Sequence, residues 1–120
     1  MTYDIAVWVP SRPGRPSDRE ATADFERRVE ASEERYLARR PPAPQLARVA
    51  DLLEARFDGP EPPWEELRGE LDGDSLYVTI GGLGGHEGPE VERYLSQIAA
   101  DVGVVVYSPL GESVVAAPLT

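Results

Sequence analysis

The sequence predicts an α+β fold: a ferredoxin-like antiparallel sheet with helices on one face, in the order β-α-α-β-β-α-β-β. Three observations predict it. Four short β-branched or aromatic runs are each bounded by Pro, Gly or Asp-Gly, and Asp72-Gly73 implies a fifth arm ahead of it. Three longer segments carry apolar residues at helical spacing, each opened by a capping signal or a proline. Counted with the two early helices as one broken crossover, the order is βαββαβ plus a terminal strand, which right-handed crossovers close into one antiparallel sheet. At 120 residues, positions 1–120 make a single domain with one core.

The first strand is Tyr3 to Val9, with Ile5, Val7 and Val9 on one side and Pro10 ending it. Pro10 to Pro16 is a loop, because its prolines and Gly14 cannot continue a ladder, and Arg12 and Arg15 make it locally basic. Ser17 and Glu20 have capping-box spacing, so a helix is expected from there to Arg39. Its apolar face is thin (Ala21, Phe25, Val29, Tyr36), and its charged residues suit a solvated side. Pro41-Pro42 stops it.

Pro44 opens a second helix with Leu46, Val49, Ala50, Leu53 and Phe57 on one face, closed by Gly59-Pro60. An acidic, proline-rich connector follows. Asp72-Gly73 then joins two β-prone arms, Leu67–Leu71 and Ser75–Ile80, as a hairpin. Gly81–Gly88 reads as a loop. Pro89 opens a third helix, with Val91, Leu95, Ile98, Ala99 and Val102 inward and Gly103 as its cap. Val104–Tyr107 is a buried strand and Ser113–Ala117 an edge strand.

Composition narrows function by exclusion. There is no Cys, hence no disulfide, thiolate site or cysteine nucleophile. Every basic residue except His86 is Arg, which removes Schiff-base lysines and the phosphate-loop lysine. The net charge of −10 disfavours nucleic acid. An acid near the N-terminus and an apolar run ending at Pro10 point away from a signal peptide or membrane span, so a cytoplasmic location is expected.

The charge is uneven. Residues 1–53 balance their acids with arginines, whereas residues 54–74 set eight acids against Arg56 and Arg68. No carboxylate pair stands out as an acid–base dyad, and no serine has nucleophile-elbow glycines, so neither a catalytic residue nor a cofactor is expected. His86 with Glu87 and Glu90 falls short of a metal ligand set. The loop holding Gly84, Gly85 and His86 lies between strand and helix, where an anion or small molecule can bind, although it matches neither phosphate-binding fingerprint.

Trp64 among Glu61, Glu65, Glu66, Glu70, Asp72 and Asp74 admits two readings. It folds back over the core, or it is an exposed aromatic ringed by acids and facing a basic protein partner. Trp8 and Tyr77 on an uncovered sheet face would support a homodimer.

Four segments resemble a family of small uncharacterised proteins of GC-rich actinobacteria. They are Tyr3-Asp4-Ile5-Ala6-Val7-Trp8, the proline-led stretch from Pro41 to Phe57, Pro63-Trp64, and Gly103-Val104-Val105-Val106-Tyr107-Ser108-Pro109. Ser108 departs from that family's usual Asp. The resemblance implies no catalytic residues. By size and charge the chain is also similar to immunity proteins, which implies a regulatory, non-enzymatic binding role.

Overall fold

Alternation in Tyr3-Asp4-Ile5-Ala6-Val7-Trp8 sends Ile5 and Val7 to one side of a strand and Ala6 and Trp8 to the other, and all four are buried. A strand covered on both sides must lie between two layers. The computed structural model, which describes residues 3–34, 40–64, 66–81 and 87–118, shows those layers. Strand β1 (Tyr3–Trp8) is central. It pairs antiparallel with β3 (Ser75–Ile80) from Tyr3↔Ile80 to Trp8↔Ser75, and with β4 (Val105–Ser108) through Val7↔Val106. The two-residue β2 (Leu71–Asp72) flanks β3, and β5 (Ser113–Ala116) flanks β4. The sheet order is β2-β3-β1-β4-β5, antiparallel throughout.

Helices α2 (Pro44–Arg56) and α3 (Gly88–Val102) share one face. Leu46, Val49, Ala50 and Leu53 of α2 and Val91, Leu95 and Ala99 of α3 pack on Ile5, Val7, Leu76, Val78, Ile80 and Val106. Each of the Val, Leu and Ile side chains among them contributes about 1.5–3 kcal/mol on leaving water. Both helices open on the expected prolines, and Gly103 closes α3 in the left-handed conformation at φ 86°.

Helix α1 (Asp18–Glu34) corrects the expectation that all helices share a face. It lies on the opposite side, where Ala21 and Phe25 pack with Ala6, Trp8, Val105, Tyr107 and Val114. The reason is the aromatic content of that side. Phe25 sits 5.1 Å from the Tyr107 ring and 5.5 Å from that of Tyr77, and Tyr107 shares a 2.6 Å hydrogen bond with Thr22. Trp8 is only 2% exposed. The open face on which a homodimer was expected is therefore covered around Trp8. The capping box is formed: Glu20 N–H donates to Ser17 Oγ and Ser17 N–H to Glu20 Oε1, both at 3.1 Å. The expected continuation of α1 to Arg39 lies outside the described residues beyond Glu34.

The hairpin differs in detail. Its first arm shrinks to β2 because residues Arg68–Glu70, around Gly69, wind into a 3₁₀ turn. The turn is Gly73-Asp74, with Asp72 already paired to Ser75. Only Gly73 has positive φ (61°), and a Cβ there would lie 2.6 Å from the Arg40 guanidinium. Residues 40–43 dock on this turn: Ala43 N–H donates to Gly73 O at 2.7 Å and Gly73 N–H to Arg40 O at 3.3 Å.

Candidate functional site

The connector after α2 carries Trp64 back to the sheet, where it forms an isolated antiparallel bridge with Ile80. Its ring meets Phe57 edge-on at 5.9 Å and is 7% exposed. Of the two readings of Trp64, the structure gives the core one. An exposed aromatic anchor is excluded.

The surrounding acids do not gather as one free surface. Asp72 is 2% exposed; its Oδ1 accepts Arg40 N–H at 3.0 Å and lies 3.8 Å from Arg40 Nε. Asp74 is bound by Arg28 at 3.0 Å and approached by Arg40 at 3.5 Å. On α2, Asp51 and Glu54 jointly grip Arg68, whose pKa their hydrogen bonds push further up. Balanced first-half arginines thus neutralise part of the acidic second half. Glu61 and Glu66 are exposed and Glu70 half-buried, with no ion pair among the described residues. Glu65 and the loop candidates Gly84, Gly85 and His86 lie outside the described residues. Among those described, no group of three acidic or imidazole side chains is placed to hold a metal ion.

The clearest concentration of unneutralised acid lies elsewhere. Helical spacing puts Phe25 and Val29 one turn apart, facing the sheet, and sets Glu26, Glu30 and Glu33 along the neighbouring stripe. Between this stripe and β1–β3 opens a groove of about 350 Å³. Its floor is Phe25, Val29, Tyr77 and Pro109, and its rim is Asp4, Glu26, Glu30 and Glu33, with no basic residue in the lining. None of these four carboxylates is in an ion pair among the described residues. Two of them, Asp4 and Glu33, act on Tyr77. Burial, and then the charges of Asp4, Tyr107, Glu33 and Glu70, push its phenol well above the ordinary value. Beside Pro109, Leu110 stands 70% exposed at the tip of the β4–β5 turn.

A second groove, of about 460 Å³, runs along the Pro10–Pro16 loop. Here Arg12, Arg15 and Arg27 alternate with Glu20 and Asp24, and most of these charges are already engaged. Arg27 binds Asp24 at 2.8 Å, Glu20 caps Ser17, and Arg15 binds the backbone of β5. Of the two arginines in the locally basic loop, Arg15 is thus tied to β5 and Arg12 stays exposed.

Comparison with protein-family models, curated proteins and solved structures returns no match. The actinobacterial resemblance rests on its four short motifs alone, and the site is read from its own chemistry. No described helix is long and apolar enough to cross a membrane.

Sequence reasoning missed the α1 groove. Glu26, Glu30 and Glu33 are among the charged residues that suit a solvated side of the helix. The available signal was the i, i+4, i+7 spacing of these glutamates beside Phe25 and Val29 on a helix whose apolar stripe is narrow. Asp4 of the rim and Tyr77 of the floor come from distant strands, and their approach to α1 depends on the side of the sheet that the helix covers.

Proposed function

We propose that this chain is a non-enzymatic interaction domain that binds a basic protein partner, with a cationic segment of that partner lying in the groove between α1 and the β1–β3 pair. The observation that carries this reading is an aromatic floor, Phe25 and Tyr77, beneath four carboxylates that no described arginine neutralises. A guanidinium or ammonium group over such rings gains from the ring quadrupole and from the rim charges together. Leu110 beside the groove offers an apolar contact at the same surface. Small size and a net charge of −10 suit an immunity-like or regulatory partner.

Titration with an arginine-rich hexapeptide tests the reading. Binding is expected to weaken steeply with salt and to drop about tenfold in Glu30→Arg/Glu33→Arg, whose positions are exposed and carry no core packing. Equal binding by wild type and variant contradicts it.

We also assign β1–β4 with α2 and α3 to a ferredoxin-like arrangement, with β5 appended at one edge and α1 added on the far face. The order β2-β3-β1-β4 with antiparallel pairing supports this assignment.

A further inference from the structure

The two faces of the sheet are covered unequally. On one, α2 and α3 together bury Ile5, Val78 and Ile80 completely. On the other, α1 is the only helix among the described residues. Strand alternation puts Asp4, Ala6 and Trp8 of β1 on this second face, opposite Thr79, Tyr77 and Ser75 of β3. Helix α1 covers the Trp8–Ser75 end, where Arg28 bonds Ser75 Oγ at 2.9 Å. Burial then falls along β3: Tyr77 is half-buried beside Phe25, and Thr79, paired with Asp4, is exposed. From Ser75 to Thr79 the strand advances about 13 Å. Packed helices lie about 8–10 Å apart, so this face has room for one more helix beside α1.

We propose, resting on the cationic-groove reading above, that this position takes a basic amphipathic helix of the partner protein, lying along α1 with its apolar side on Tyr77 and Pro109. Three observations select that occupant. The bordering stripe is acidic, with Glu26, Glu30 and Glu33 exposed on successive turns of α1 and Asp4 across the groove. A helix alongside presents one residue per turn of about 5.4 Å, in step with those glutamates, whereas an extended segment repeats a side at about 6.6 Å. The floor also offers an extended segment no backbone partners. Strand β1 is paired on both sides, and β3 carries β2 and the Trp64 bridge on its outer side. A helix satisfies its own backbone groups and needs only side chains beneath it. A second copy of this chain does not suit the site, because a net charge of −10 opposes its approach to an acidic rim.

The test compares two peptides of identical composition and about fifteen residues, a length at which an isolated helix is marginal in water. One sets arginines at i, i+4 and i+7 beside a leucine face; the other is a permutation with no helical phase. By calorimetry the phased peptide is expected to bind the full chain about tenfold more tightly, and to lose about tenfold against Glu30→Arg/Glu33→Arg. Difference circular dichroism should show it gaining helix on binding. A proline at its centre should return it to the affinity of the permuted peptide. Equal binding of the two peptides, or binding of the phased one without a gain of helix, overturns the proposal; if that binding still falls in the charge-reversed variant, the cationic-groove reading stands. Phased binding that the charge reversal leaves unchanged overturns both, as does binding of neither peptide.

Discussion

Arg28 places its guanidinium 5.3 Å from the ring centre of Trp8, so a cation from α1 caps the buried aromatic of β1. The same group bonds Asp24 at 2.9 Å, Ser75 Oγ at 2.9 Å and Asp74 at 3.0 Å, and reaches Val9 O at 3.4 Å. One side chain, 14% exposed, thus ties α1, β1 and the β2–β3 turn together. It also neutralises Asp74, whose side chain stays 44% exposed.

Replacing Arg28 with Ala is expected to lower stability by about 2–3 kcal/mol in urea denaturation, since it leaves Asp24 and Asp74 without their shared cation. Arg28→Lys should recover only part of this, because an ammonium cannot reproduce the planar fork. A loss within about 0.5 kcal/mol, the range of ordinary surface substitutions, would show that the network is decorative.

Tyr3 donates its phenolic hydrogen to Glu92 of α3. Burial, then that hydrogen bond and the Glu92 charge, push its pKa from 10.0 up to about 12. Between those values the unfolded chain has released the proton and the folded chain still holds it. The stabilisation is therefore complete below pH 10 and is lost as alkali rises toward pH 12. Ultraviolet titration of tyrosinate should show that Tyr3→Phe removes one residue from the late-ionising class. Loss of an ordinary, early-ionising tyrosine instead would contradict the contact.

Burial of Trp64 gives a direct optical check. Its emission should be blue-shifted and poorly quenched by iodide, and Trp64→Ala should cost about 3–5 kcal/mol through the void left against Phe57 and Ile80. Strong iodide quenching of a Trp8→Phe variant, in which Trp64 is the sole indole, would return Trp64 to the surface.

Local chemistry made most elements legible. Ser17 and Glu20 marked the start of α1, Pro44 and Pro89 the starts of α2 and α3, Gly103 the end of α3, and Ser75–Ile80 emerged with the predicted bounds. What failed was long-range. A strand reading Ile-Ala-Val-Trp is apolar on both sides, and this double covering is the cue that a helix must lie on each face. The acid-rich middle of the chain looked free because sequence shows charge but not pairing. Asp72 and Asp74 meet Arg40 and Arg28 only after the hairpin has folded against the first half. The groove was hidden for the same reason, since Asp4 and Tyr77 reach Glu30 and Glu33 across the sheet.

Everything functional here turns on where a cationic ligand settles. Amide chemical shifts of the labelled chain, followed while the arginine-rich hexapeptide is added at low salt, report this directly. Movement concentrated at Asp4, Phe25, Glu30, Glu33 and Tyr77, and abolished by Glu30→Arg/Glu33→Arg, is the predicted outcome. Shifts centred instead on Glu61 and Glu66, or spread evenly over the acidic surface, would contradict it.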